Sequence, residues 1–325
     1  MSRNYRFDNI KFILITLVVF GHFLELIDGP TSDNLYRVIY LFHIPAFIFI
    51  TGYFAKFNPG KIVRNLIIPY VILQSLYLPY HNLFLLEKDA FTFQFTRPYW
   101  LLWYLMTVAF YYVLIPFFET NNRRKQILIV AASIVVSLLA GFDKNIGYFL
   151  SLSRFFTFLP FFLAGYYLAK DNTLKKISSK KQKFIILPLI AATGAIFSII
   201  YIINSPIRYE VLYGSYFYEA MNYGPDFKLL LAMFAICWIM LLLYVVPNKK
   251  IPGLSLIGKN TFTIFVLHGF FIKLADKYNL FSYNETKNLL LATLLTAGIL
   301  ILVGNKYVTG FFEFVLCGFR QKKSK

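Results

Sequence analysis

Ten predominantly apolar runs, separated by polar or charged punctuation, divide the chain at approximately residues 10–27, 37–55, 65–86, 100–118, 127–141, 155–169, 184–203, 227–246, 259–274 and 288–304. A hydrocarbon core about 30 Å thick needs roughly 20 apolar residues per helix, and these runs approach that length. Period-two alternation is lacking and the runs are too long for barrel strands. Helices, which satisfy their own backbone polar groups, are therefore the expected spanning structure. The pattern predicts an all-α polytopic membrane protein, a bundle of about ten transmembrane helices over residues 1–305 followed by an interfacial basic tail, 306–325.

Composition agrees: mean hydropathy is +0.60, 15% of residues are charged and 20% aromatic. The net charge of +18 invites a nucleic-acid reading, but its distribution argues against one. With the N-terminus inside, 23 of the 33 Lys and Arg residues fall at inner segments, leaving ten outside. By the positive-inside rule both termini are expected to be cytoplasmic, with basic runs such as Lys175 to Lys181 anchoring the topology near anionic lipid. The basic N-terminus and following apolar run mimic a secretory signal. Because the run is long and continues to Glu25 and Asp28 without a small-residue cleavage site, it is expected to be a retained first helix. Cys237 and Cys317 lack metal-ligand spacing and read as small apolar filler, so no metal is expected.

Ionisable groups inside apolar runs are functional-site candidates by default. The first run holds two, Lys11 near its inner mouth and His22 in its outer half, about 16 Å apart along a straight helix. His43, His81 and His268 also fall in outer halves of their runs, His43 about six residues below the outer start of the second. Imidazole suits general base catalysis at a hydroxyl. Glu25, three residues after His22, shares its helical face and is expected to hold its tautomer or stabilise the imidazolium. At the opposite face, Lys61 and Arg64 open the third helix with Lys56 nearby, two cations suited to the phosphates of a soluble cofactor. The aromatic outer segment Arg208-Tyr209-Glu210 through Tyr213, Tyr216, Tyr218 and Tyr223 is a candidate sugar platform, although Tyr is also what a membrane interface selects. The resemblance between Phe49-Ile-Thr-Gly52-Tyr53 and Phe162-Leu-Ala-Gly165-Tyr166 reads as shared interfacial anchoring rather than duplication.

Taken in order, these elements form a pattern. Lys11 and His22 follow Arg6-Phe-Asp8-Asn-Ile; then come Phe42-His43-Ile-Pro45, Thr51-Gly52-Tyr53, Lys61-x-x-Arg64, Trp100-Leu-Leu-Trp103-Tyr104 and Asn260-Thr-Phe-Thr-Ile-Phe265-Val-Leu-His268. This series resembles the acyltransferase-3 family of bacterial membrane O-acyltransferases, particularly its fucose 4-O-acetylase-like branch, over about residues 3 to 305. The resemblance implies a multi-pass protein of the bacterial plasma membrane that moves acetyl from cytoplasmic acetyl-coenzyme A to a hydroxyl of a capsular, exopolysaccharide or other cell-surface sugar. It makes His22 the catalytic base and associates Lys61 and Arg64 with the acyl-coenzyme A. Glu25 and His43 join His22 as catalytic candidates, and Lys11 joins the cofactor side. Trp103, Arg208, Glu210, Tyr218 and His268 are candidates for binding a polysaccharide or lipid-linked oligosaccharide acceptor. Thr51-Gly52 stands where the family has serine-glycine. The extracellular hydrolase-like domain of larger members is not expected here, since the sequence stops soon after the tenth run. His22 is either a base or a transient acyl carrier. The alternative reading is a flippase of lipid-linked sugars without acyl transfer, which should line both halves of a path with charges.

Overall fold

The computed structural model describes residues 4–85, 94–171, 181–206 and 208–317. Among these no strand occurs, and the helices follow the hydropathy pattern closely. They are α1 (Tyr5–Leu24), α2 (Pro30–Phe54), α3 (Pro59–Leu85), α4 (Trp103–Phe118), α5 (Arg123–Leu139), α6 (Leu152–Lys170), α7 (Lys181–Asn204), α8 (Pro225–Val245), α9 (Leu254–Lys259), α10 (Thr261–Lys277), α11 (Glu285–Gly304) and α12 (Lys306–Cys317). Nine of the described helices are long and apolar enough to cross a membrane. The remaining expected span, the ninth run, is α10, which has only 17 residues because Asn260 separates it from α9. The protein is thus an all-α polytopic membrane protein. The lysines expected to anchor the loop between α6 and α7 lie at or beside undescribed positions, and the cations from Arg320 to Lys325 are outside the described residues.

Local chemistry sets the helix starts. Asn4, Asn58, Asn122 and Asn284 each accept a backbone N–H in the first turn of α1, α3, α5 and α11, the N-cap role to which a short amide is suited. Pro30 opens α2 seven residues before the apolar run begins. Those extra turns hold polar Ser32 and Asp33, and Ser32 is satisfied by the Glu285 carboxylate, which accepts its backbone N–H at 2.7 Å. His43 therefore lies thirteen residues into α2 rather than about six. α1 stops at Leu24, so His22 stands two residues from its end rather than five. α3 is not uniform: π-helical turns occupy Val63–Ile67 and Tyr80–Leu85.

The helices alternate in direction, and polar contacts join the ends that alternation brings together. On the face bearing the N-terminus, Arg6 Nε donates to Val246 O at 3.0 Å and Lys170 reaches Glu119 at 3.3 Å. On the opposite face Arg37 Nη1 donates to Ser205 O at 2.9 Å. One tight crossing is α2 on α6. A Cβ at Gly52 would stand 2.0 Å from Phe162 O, and one at Gly165 would stand 2.0 Å from Phe49 O. Each glycine seats the carbonyl found three residues before its counterpart. The similarity of the two segments thus marks mutual close approach, not interfacial anchoring, and small residues are what membrane helices use to bring backbones together. α12 folds back onto α3 and α10, where Phe312 packs against the Tyr70 and Tyr77 cluster.

Candidate active site

The expected catalytic residue sits in a cavity of about 270 Å³ on the face away from the N-terminus. α1 supplies His22 on its last turn and Glu25 just past it, with His22 Nδ1 3.2 Å from Glu25 Oε1. α2 supplies a polar stripe, Tyr36, Tyr40 and His43, at near-helical spacing. Tyr40 Oη donates to Glu25 Oε1 at 2.6 Å and lies 3.0 Å from His22 Nδ1. Tyr36 Oη is 2.9 Å from the same Oε1 and 2.7 Å from Tyr213 Oη. One proton assignment satisfies all of these contacts: Tyr213 donates to Tyr36, Tyr36 and Tyr40 donate to Glu25, and His22 Nδ1–H donates to Glu25 and Tyr40. Burial pushes the Tyr213 hydroxyl above its ordinary range. With Nδ1 carrying the proton, Nε2 of His22 is left as the lone-pair nitrogen, the tautomer a general base requires. Gly21 makes the approach feasible, since a Cβ there would stand 3.0 Å from the Tyr40 ring.

Two further imidazoles gather here. His43 Nδ1 donates to Ile39 O at 2.7 Å, and His268 Nδ1 donates to Ile264 O at 3.0 Å. Both rings are buried and both are held in the same tautomer as His22. The His268 ring stacks on His22 with centroids 5.4 Å apart, Trp100 sets its edge on His22 at 4.7 Å, and His43 meets Tyr40 at 4.6 Å. The expectation of four histidines at one depth resolves into three at one site. His81 lies elsewhere, its Nδ1 3.0 Å from Tyr99 Oη.

The cavity also holds cations. Arg154, on the first turn of α6, lies over Trp103 at 4.8 Å and Tyr148 at 5.4 Å, and its Nε donates to Tyr213 O at 3.1 Å. Arg97 lies over the same Tyr148 ring at 5.5 Å. The segments that deliver these groups carry left-handed backbone at non-glycine positions, Trp100 at φ 34° and Leu150 and Ser151 at 48° and 56°. Such strain persists where surrounding contacts over-determine it, characteristically near functional sites.

The other expected residues are dispersed. Trp103 lines the cavity. Tyr218 instead donates to Leu138 O at 2.8 Å and packs on Phe142. Arg208 and Glu210 pair with each other outside the cavity wall, and Arg208 hydrogen-bonded beside it holds the Glu210 carboxyl below its ordinary value. Of the outer platform, only Leu212 and Tyr213 reach the cavity. On the N-terminal face, Lys11 pairs with Asp8 at 3.2 Å, whereas Lys61 and Arg64 are exposed. The site residues absent from the sequence reading are Tyr36, Tyr40, Arg97, Arg154 and Tyr148, and Trp100 enters it only as part of a motif. A signal existed for some of them: Tyr36, Tyr40 and His43 form a polar stripe in an apolar helix, and Arg97 and Arg154 belong to the ten cations that the positive-inside rule leaves outside. Among the described residues no group of three or more His, Cys, Asp or Glu side chains is arranged to hold a metal ion.

Comparison with known proteins places the chain in a family. The chain is 42% identical over 69 residues to the nodulation protein NolL of Sinorhizobium fredii, covering 20% of this chain and 18% of that protein. It is 38% identical, with the same coverage, to NolL of Mesorhizobium japonicum. The aligned stretch thus spans less than a fifth of the length of these curated relatives. No solved structure matches. A family model described as an acyltransferase domain matches residues 4–304, nearly the whole chain, and the protein accordingly belongs to the acyltransferase-3 family of membrane acyltransferases.

Proposed function

We propose that this acyltransferase moves an acetyl group from acetyl-coenzyme A to a sugar hydroxyl at the face distant from the N-terminus, with His22 as the base. The observation that carries the reading is the Glu25, Tyr40 and His22 triangle, which fixes Nδ1 as the protonated nitrogen beside an open cavity. His22 Nε2 takes the proton of the acceptor hydroxyl as its oxygen attacks the thioester carbonyl. The carbon–sulfur bond then breaks, and the imidazolium returns its proton to the departing thiolate. Glu25 stabilises the imidazolium, the part a buried carboxylate plays in hydrolytic triads.

The donor is assigned to the N-terminal face, read as cytoplasmic from the charge bias, where the exposed Lys61 and Arg64 suit its phosphates. Lys11 is already engaged by Asp8 and contributes less. In this reading the thioester end must pass the packed contacts of Thr51, Tyr104 and Phe265 to reach the cavity. Thr51 Oγ1 is 2.7 Å from Tyr104 Oη, the Tyr104 ring lies 5.1 Å from Phe265, and Phe265 lines the cavity. The acceptor is a cell-surface, capsular or exopolysaccharide sugar, and the setting is the bacterial plasma membrane. Membranes containing the protein should transfer labelled acetyl from acetyl-coenzyme A to surface polysaccharide. Movement of lipid-linked sugar across the membrane with no acetyl transfer would contradict the reading.

A further inference from the structure

Beside the His22 cavity runs a second, larger cleft of about 420 Å³ between α2, α5, α6 and α8. On α8 its wall extends from Lys228 to Tyr244, about 24 Å at 1.5 Å per residue, most of the depth of a bilayer core. It is long and narrow because small side chains, Ala164, Ala232 and Ala235, line facing helices. Apart from Tyr244, its polar wall groups gather at the end away from the N-terminal face. There Lys228 Nζ donates to Ser137 O at 2.7 Å and lies 5.8 Å from the Tyr218 ring.

That end adjoins the active site. Tyr40, Phe158 and Leu212 are walls of both spaces. Arg154 precedes Phe158 by one helical turn on the same face of α6. Arg97 and Arg154 both lie over the Tyr148 ring, and among the described residues neither is paired with a carboxylate. Glu25, the acid in the same cavity wall, is committed to His22, Tyr40 and Tyr36. Arg154 is partly buried and Arg97 is exposed on the same cavity wall; a partly buried cation lacking a counter-charge is costly, so the ligand complementary to Arg154 is anionic. A neutral glycan would leave the guanidiniums uncompensated, and a soluble anion would leave the cleft to the bilayer.

We propose that the cleft seats the hydrocarbon chain of a long-chain lipid phosphate and that Arg154 and Arg97 hold its phosphate, so that the acceptor sugar is presented to His22 on a lipid carrier. This rests on the acyl-transfer reading of the adjoining cavity.

The test uses the full chain in phosphatidylcholine vesicles with a polyprenyl phosphate that carries a photoactivatable diazirine on its isoprenoid chain. Labelled peptides should map to α6 and α8, and unlabelled polyprenyl phosphate should compete at least about ten-fold better than uncharged polyprenol or phosphatidylglycerol. Ala232→Trp, which fills the cleft, should abolish this labelling. Arg154→Gln should remove most of the advantage of phosphate over polyprenol while leaving chain labelling in place. Equal competition by polyprenol or phosphatidylglycerol would overturn the proposal, as would labelling unaffected by Ala232→Trp. Because labelling needs no turnover, His22→Ala should label like the parent. Normal His22-dependent acetyl transfer without cleft labelling sinks the lipid site alone, whereas cleft labelling with transfer that survives His22→Ala sinks the catalytic reading alone.

Discussion

Helix α1 and the residue just past its end carry two ionisable pairs with the same spacing. Asp8 and Lys11 lie three residues apart with a 3.2 Å contact, and so do His22 and Glu25. Their surroundings differ. The first pair sits in a packed collar where Asn9 donates to Pro247 O and Lys249 O at 3.0 Å and accepts from Ser255 at 2.8 Å. Asp8 lies in the α1 crossing with α9, where a Cβ at Gly258 would stand 1.8 Å from Asp8 O. The second pair opens on a cavity, and its carboxylate takes hydroxyls from another helix. An ionisable pair at a membrane helix is thus a candidate only; what separates these two is that the second opens on a cavity and the first does not. Lys11 is ion-paired with Asp8 away from the cavity, whereas His22 lines it, and the proposed chemistry is placed at His22 for that reason.

Substitutions that break each pair should separate the two roles. The largest effect is expected for His22→Ala, a fall in acetyl transfer of about 10³-fold or more with membrane insertion intact, measured as initial rate with labelled acetyl-coenzyme A. Glu25→Gln should follow at about 10²-fold, since the amide neither fixes the tautomer as firmly nor stabilises the imidazolium. A loss confined to the KM for donor would instead make Glu25 a binding group. Tyr40→Phe removes one hydrogen bond to the carboxylate and should cost about ten-fold in kcat. Lys11→Met should change the rate by less than about two-fold and lower stability in detergent by about 1 kcal/mol, read by thermal unfolding. A KM for acetyl-coenzyme A raised in Lys11→Met as much as in Lys61→Ala would return Lys11 to the donor side.

The sequence was legible wherever the signal was local. Hydropathy runs located the helices, and the three-residue spacing of His22 and Glu25 placed both on one face. The start of α2 was misplaced because Ser32 and Asp33 look like loop until Glu285, 253 positions away from Ser32, satisfies Ser32. The cavity walls were opaque for the same reason. Tyr213 and Arg154 reach His22 only through the folding of α6 and the loop before α8 onto α1 and α2, and no spacing in one segment encodes that. The outer tyrosines were over-read because interface and substrate platforms share a composition. The matching glycines of α2 and α6 were seen but not understood, since their meaning lies in each other's carbonyls.

The most direct test of the central claim compares acetyl transfer in membranes carrying His22→Ala and Lys11→Met, matched for inserted protein. The account predicts that His22→Ala loses transfer to background while Lys11→Met stays within about two-fold of the parent. Transfer surviving in His22→Ala, or lost equally in both, would contradict it.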